Sequence, residues 1–137
     1  MTAEEMANCH ARAFAAQGRP WSAREFAGLL DSPYVFSSGN AHAFALGRAV
    51  ADEAELLTIA TDPSYQRQGL GREALSNFEA TAAARGASRV FLEVAAGNAP
   101  AIALYNGSGY RVTGRRAGYY QTSEGQEDAL LMEKTLG

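Results

Sequence analysis

The chain has 137 residues, 47% of them apolar and 20% charged, which is typical of one globular domain. A net charge of −3 disfavours direct nucleic-acid binding, and no apolar run approaches the roughly 18 residues of a membrane span. The single cysteine, Cys9, excludes an intrachain disulfide and disfavours a structural zinc site. We therefore expect one cytoplasmic domain over residues 1–137, without a metal or a membrane anchor.

The first part of the chain predicts two helices and a meander of three strands. Apolar residues at helical spacing predict a helix over residues 3–16. A capping box formed by Ser22 and Glu25 begins a second, short helix. Ser37–Asn40 has the composition of a turn. Three apolar runs separated by short turns indicate an antiparallel meander, with strands over Tyr34–Phe36, Ala41–Val50 and Glu55–Thr61.

The second part changes to a strand–helix–strand pattern. An apolar stripe from Leu70 to Ala82 predicts a helix that ends at Arg85 and Gly86. The strand Arg89–Ala95 follows, so it should lie parallel and adjacent to the third strand. A short helix and a final antiparallel pair of strands complete the order ααβββαβαββ, an α+β domain on one mixed sheet. These last elements cover residues 98–106, 110–117 and 128–134.

A glycine-containing segment, Gln66–Gly71, connects the third strand to the helix that follows it. Its two glycines let the backbone approach a ligand closely. The first turn of the helix offers free N–H groups and the positive end of the helix dipole, and Arg67 and Arg72 add charge. The segment therefore predicts a site for a phosphate or pyrophosphate, with an ordinary loop as the alternative.

Two other nucleotide-binding motifs fit this segment less well. Arg72 and Glu73 follow Gly71 where a P-loop needs Lys-Ser/Thr. Residues 69–74 satisfy the Rossmann pattern G-x-G-x-x-A, and Glu93 lies near the distance of its ribose-binding acid. However, Asp62–Gln66 separates the strand from the first glycine, and too little chain follows Glu93 for further βα units.

The same segment carries a family resemblance. Asp62-Pro63 followed by Gln66–Gly71 resembles motif A, Q/R-x-x-G-x-G/A, of the GNAT superfamily of N-acetyltransferases. Downstream segments are similar to the RimI-like branch, which acetylates the N terminus of a ribosomal protein. They are Leu92-Glu93-Val94, Asn98, Ala103-Leu104-Tyr105, Gly109-Tyr110, Tyr119-Tyr120 and Glu127-Asp128-Ala129. The resemblance runs from about Glu53 to Met132 and implies the GNAT fold, one twisted and mostly antiparallel sheet flanked by helices.

The resemblance implies direct acetyl transfer from acetyl-CoA, a co-substrate, to a primary amine, in first place the N-terminal α-amine of a protein such as a ribosomal protein. The glycine segment would hold the pyrophosphate, and the third strand would pair with the pantetheine arm and polarise the thioester carbonyl. The implied cofactor-binding residues are Ile59, Ala60, Thr61, Arg67, Gln68, Gly69, Leu70, Gly71, Arg72 and Asn98.

Two residues carry the implied proton transfers. Glu93, in the L-E-V segment, is the expected general base, and a carboxylate on an otherwise apolar strand needs a partner if it is buried. Its structural alternative is a glutamate at a sheet edge or paired with an arginine. Tyr105 is the expected general acid for the thiolate; with a phenol pKa of ~10 and a thiol pKa of ~8.5, this transfer is slightly uphill. Its alternative is a tyrosine packed on the sheet.

Departures from the family pattern leave the acceptor open. Ala117-Gly118 and Gln121 stand where the branch tends to carry Arg-Asn and Pro, near the implied acceptor site. A small-molecule amine as acceptor, or a non-catalytic acetyl-CoA sensor, therefore remains an alternative. The first strand of the family is missing or very short, which leaves a sheet edge that a second copy of the chain could cover.

Overall fold

A computed structural model describes residues 1–14, 21–66, 68–122 and 125–136 of the chain. In this part of the chain, four α-helices flank one six-stranded sheet. The helices are α1 (Ala3–Ala13), α2 (Ala23–Leu30), α3 (Leu70–Ala84) and α4 (Ala99–Gly107). The strands are β1 (Val35–Asn40), β2 (Ala43–Val50), β3 (Glu53–Thr61), β4 (Arg89–Ala95), β5 (Arg111–Thr122) and β6 (Gly125–Thr135). The α+β architecture predicted from the sequence is confirmed.

The sheet has the strand order β1-β2-β3-β4-β6-β5, and β3 and β4 are its parallel pair, as predicted. These two strands pair only over Glu53–Glu55 and Arg89–Phe91. The register between β2 and β3 also shifts, from Leu46–Thr58 to Gly47–Leu56, which leaves Leu57 without an opposite residue. Beyond Glu55 and Phe91 the two strands are no longer paired, and the space between their later halves is a cleft in the middle of the sheet.

Each face of the sheet has its own apolar core. On one face, α3 packs through the predicted stripe, and Phe78 stacks on Phe36 of β1 at 4.8 Å between ring centroids. On the other face, α1 and α2 pack Met6 and Phe26 against Phe44 of β2. Helices on both faces fix the sheet, and with it the two strands that line the cleft.

The predicted turn over Ser37–Asn40 is wrong. Strand β1 continues to Asn40, which pairs with Ala43, so the hairpin turn is Ala41–His42. The Asn40 Oδ1 atom accepts the backbone N–H of His42 at 2.9 Å and holds this turn. The residues typical of turns therefore form the end of β1, and the turn itself follows directly after them.

Other boundaries also differ from the predictions. The first helix ends at Ala13, and the end of the predicted span 3–16 lies outside the described residues. Strands β5 and β6 extend to Thr122 and from Gly125, beyond their predicted limits. Within the described residues no strand precedes α1, and β1 and β5 form the sheet edges. A dimer through such an edge stays a prediction.

Candidate active site

The connection between β3 and α3 is fixed by a buried carboxylate. Asp62 is 2% exposed, and its Oδ1 accepts the Ser64 N–H at 2.9 Å, which caps the short turn Pro63–Tyr65. Its Oδ2 accepts a hydrogen bond from Arg12 of α1 at 2.7 Å. The hydrogen bond from Arg12, then that from Ser64, lowers the pKa of Asp62. This network sets the path of the chain into the glycine segment.

The two glycines occupy the start of α3. Gly69 is its N-cap, with φ +76° and no side-chain hydrogen bond to the helix end, and a Cβ there would meet no atom within 4 Å. Gly71 lies in the first turn, beside Thr61 of β3. The open space and the uncapped N–H groups fit a phosphate group. Gln68 is exposed, Leu70 is half-buried, and Arg67 lies outside the described residues.

Arg72 extends towards α4. Its Nη2 atom lies 3.0 Å from the position that a Cβ would take on Gly107, at the C-terminal end of that helix. A cation is favourable there because the helix dipole is negative at this end. Arg72 therefore has a contact that the sequence did not predict, and its role toward a cofactor stays a prediction.

The end of β3 forms one side of the cleft. Ile59, Ala60 and Thr61 follow the last residue of β3 that pairs with β4, which is Glu55. They remain paired with β2 on the opposite edge. Beyond Glu55, within the described residues, the β4-facing edge of β3 has no strand partner, so this edge can pair with an extended ligand.

Asn98 stands at the head of α4, near the end of β4. Its Oδ1 accepts the Ala101 N–H at 3.3 Å, so Asn98 caps α4. The preceding residue, Gly97, donates its N–H to Glu127 of β6 in a short contact. The start of α4 is thereby tied to the last hairpin.

Glu93 lies on β4 beyond its pairing with β3, and its side chain is 22% exposed. Its Oε1 lies 3.2 Å from an Nη2 of Arg116 in β5. The arginine-paired arrangement that the sequence left open is therefore present, and it offsets the cost of partly burying the carboxylate. The Arg116 side chain is half-exposed, so another cation can take its place beside Glu93.

Tyr105 lies on α4 and is 5% exposed. Its ring packs 5.8 Å from that of Tyr110. Burial, followed by the neighbouring Tyr120, raises the pKa of the Tyr105 phenol. Tyr120 in turn has its pKa raised by burial and then by Glu93. Tyr120 therefore lies within electrostatic reach of Tyr105 on one side and of Glu93 on the other.

Sequence reasoning missed the partners of these residues. Arg12 pairs with Asp62 across 50 residues, and Arg116 of β5 pairs with Glu93 of β4. Asp128 accepts the Gly118 N–H at an irregularity of β5. No spacing rule in the sequence predicts these contacts. Among the described residues, no group of three or more His, Cys, Asp or Glu side chains is arranged to hold a metal ion. Those residues also include no helix long and apolar enough to cross a membrane.

Comparisons with known proteins give the class to which this fold belongs. A sequence model described as "Acetyltransferase (GNAT) family" matches residues 4–110. The chain is 44% identical over 117 residues to the ribosomal protein bS18-alanine N-acetyltransferase of Escherichia coli strain K12, covering 82% of this chain and 79% of that protein.

Solved structures show the same fold. The crystal structure of the Escherichia coli ribosomal-protein-S18-alanine N-acetyltransferase superposes with a TM-score of 0.86 at 37% identity, covering 98% of this chain and 88% of that one. Arabidopsis thaliana NAA60 in complex with acetyl-CoA gives a TM-score of 0.81 at 16% identity, covering 98% and 93%, and shows the fold alone. The chain therefore belongs to the acetyltransferase (GNAT) family, and it is an N-acetyltransferase.

Proposed function

We propose that this enzyme transfers acetyl from acetyl-CoA directly to the N-terminal α-amine of a protein, with Glu93 as general base and Tyr105 as proton donor. A ribosomal protein that begins with alanine is the proposed acceptor, by analogy with the Escherichia coli relative. The observation that carries the proposal is the separation of β3 and β4 after three paired residues. It leaves Glu93 on one strand of a cleft and Ile59–Thr61 on the other.

The cofactor side of the cleft is built from β3 and α3. The β4-facing edge at Ile59–Thr61 would pair with the pantetheine arm, and backbone N–H groups there would polarise the thioester carbonyl. Gln68, Gly69, Leu70 and Gly71 would hold the pyrophosphate at the head of α3. Arg67 and Arg72 would add charge, and Asn98 would contact the cofactor from the head of α4. Acetyl-CoA supplies the activated acetyl group, and no metal takes part in this scheme.

On the acceptor side, Glu93 would take the proton that the amine must lose. A carboxylate can accept a charge-assisted hydrogen bond from an incoming ammonium group. The Arg116 guanidinium, 3.2 Å from Glu93, already occupies such a position. An acceptor ammonium group would replace this contact, so the partly buried carboxylate would keep a charged partner during the exchange.

Tyr105 would act on the leaving sulfur. Its raised pKa widens the gap to a thiol pKa of ~8.5, so proton transfer is more uphill than the sequence suggested. The phenol keeps its proton at neutral pH and can donate a hydrogen bond as negative charge develops on sulfur. A hydrogen bond that strengthens in the transition state accelerates the reaction even when complete transfer follows later.

The experiment that tests the proposal measures thiol release from acetyl-CoA with a panel of acceptors. Short peptides with a free N-terminal alanine should react, and the same peptides with a blocked N terminus and an internal lysine should not. Turnover with small amines alone would contradict a protein acceptor. Stabilisation by CoA without any turnover would contradict an enzyme and indicate a sensor.

A further inference from the structure

Strand β5 carries a three-residue bulge opposite a single residue of β6. The register passes from the pair Arg116–Ala129 to the pair Tyr120–Glu127, so residues 117–119 lie opposite Asp128 alone. A bulge of this kind interrupts the ladder hydrogen bonds and re-aims the side chains around it. The backbone groups that lose their ladder partners need another partner to hold one shape.

The Asp128 side chain supplies that partner. Its Oδ1 accepts the Gly118 N–H at 2.8 Å, and its Oδ2 accepts a hydrogen bond from Arg115 Nε at 2.6 Å. Gly118 has φ +62°, a left-handed conformation that glycine adopts without strain. The hydrogen bond from Gly118, then that from Arg115, lowers the pKa of Asp128. One ionised carboxylate therefore fixes both the strand before the bulge and the bulge itself.

The bulge lies beside the proposed acceptor site. Arg116, directly before it, places its guanidinium 3.2 Å from Glu93 and 5.1 Å from the ring centroid of Tyr119. Tyr119, the last residue of the bulge, is 51% exposed and packs edge-on against Tyr120 at 5.2 Å. The shape of the bulge thus sets the positions of the Arg116 guanidinium and of the Tyr119 and Tyr120 rings relative to Glu93.

We infer that Asp128 is a positioning residue for acceptor binding, because it holds the 117–119 bulge in the shape that sets Arg116 and Tyr119 beside Glu93. The inference rests on the proposed function, since it takes Glu93 as the residue that the acceptor amine meets. Asp128 acts through Gly118 and Arg115 rather than on the substrate. Its backbone oxygen separately accepts the Ala96 N–H at 2.8 Å, a bond that side-chain substitution retains.

Two substitutions separate the roles of this carboxylate. Asp128→Ala removes both hydrogen bonds. Asp128→Asn keeps an oxygen that can accept the Gly118 N–H, but it loses the negative charge that pairs with Arg115. Glu133→Gln is the matched control, because Glu133 is also a β6 carboxylate paired with arginines, Arg89 at 2.5 Å and Arg111 at 3.7 Å. It lies at the opposite end of the hairpin from the bulge.

The test measures steady-state kinetics with an N-terminal alanine peptide and acetyl-CoA. Wild-type turnover of this peptide decides the proposed function first, independently of any variant. We expect Asp128→Ala to raise the KM for peptide about tenfold, Asp128→Asn to raise it less, and both to leave the KM for acetyl-CoA within about twofold. Glu133→Gln should leave both constants within about twofold, whatever it does to thermal stability.

The amide resonance of Gly118 gives a second readout without turnover. Its chemical shift should follow the titration of the Asp128 carboxyl group in the wild type and lose that dependence in Asp128→Ala. An unchanged peptide KM in Asp128→Ala, with this dependence lost, would overturn the inference. An equal rise of peptide KM in Glu133→Gln would overturn it too, because the effect would then be general destabilisation.

Discussion

The Thr61 hydroxyl oxygen lies 3.0 Å from the position that a Cβ would take on Gly71, so the end of β3 touches the first turn of α3. The two elements that would hold acetyl-CoA, an unpaired strand edge and a helix N terminus, meet at this contact. Their spacing is set by the absence of a side chain at residue 71. This relationship makes the cofactor site sensitive to a small change at one residue.

We predict that Gly71→Glu abolishes CoA binding while the protein remains folded. The new side chain would crowd Thr61 and place a negative charge where the pyrophosphate is expected. Isothermal titration with CoA measures the effect, and circular dichroism checks the fold. Gly28→Glu is the control, because a Cβ on this α2 residue meets no atom within 4 Å. If Gly71→Glu bound CoA with an affinity within about threefold of the wild type, this would contradict the proposed pyrophosphate site.

Tyr105→Phe should lower kcat by about 100-fold or more and leave the KM for acetyl-CoA nearly unchanged, because it removes only the hydroxyl that would serve the leaving sulfur. Tyr110→Phe is the matched control. Tyr110 is equally buried, but its hydroxyl donates to Glu79 at 2.8 Å, away from the proposed chemistry. This control should lose stability and keep its turnover. Similar kcat values for the two variants would argue that Tyr105 only packs on the sheet.

The free energy of unfolding should fall on acidification because of His10. This residue is 4% exposed, its Nδ1 accepts the Trp21 N–H at 3.2 Å, and burial lowers its pKa to about 4. Between an unfolded pKa of 6.5 and a folded pKa of about 4, the unfolded chain binds more protons. The contribution of neutral His10 to the free energy of unfolding is therefore fully present above pH 6.5. It is lost as pH falls below that value, by about 1.4 kcal/mol per pH unit.

Urea unfolding at about pH 7.5 and about pH 5 measures this loss. His10→Gln should be less stable at the higher pH and lose less on acidification. His42→Gln is the control for the loss of a histidine outside the core, because His42 is exposed and stacks on Tyr65. Equal losses in the wild type and His10→Gln would show that other groups cause the acid sensitivity.

Much of the fold could be predicted from short-range patterns in the sequence. The α3 stripe, the Ser22–Glu25 capping box and the parallel pairing of β3 with β4 follow from periodicity and connection rules, and each is confirmed. The β1–β2 turn was misplaced because Gly39 and Asn40, typical turn residues, end the strand here. The limits of β5 and β6 depend on pairing between strands, which one strand's composition does not encode.

Only the site residues that belong to sequence motifs could be predicted from the sequence. Glu93, Asn98 and Tyr105 were selected by resemblance. The structure shows that Asn98 caps α4, while the roles of all three in binding and catalysis remain predictions. The approach of Arg116 to Glu93 depends on a bulge that only the folded hairpin shows. The hydrogen bond from Arg12 to the buried Asp62 likewise joins residues 50 positions apart. Interactions of this kind arise from tertiary packing, so single-sequence reasoning does not find them.

The most direct test of the account compares Glu93→Gln with wild type across about pH 6 to about pH 9. Glutamine keeps the shape of the side chain and cannot take a proton. The account predicts a kcat about 100-fold lower or more at neutral pH, with acetyl-CoA affinity within about twofold, while Glu133→Gln stays active. Wild-type turnover by Glu93→Gln at every pH would contradict the central claim that Glu93 is the base.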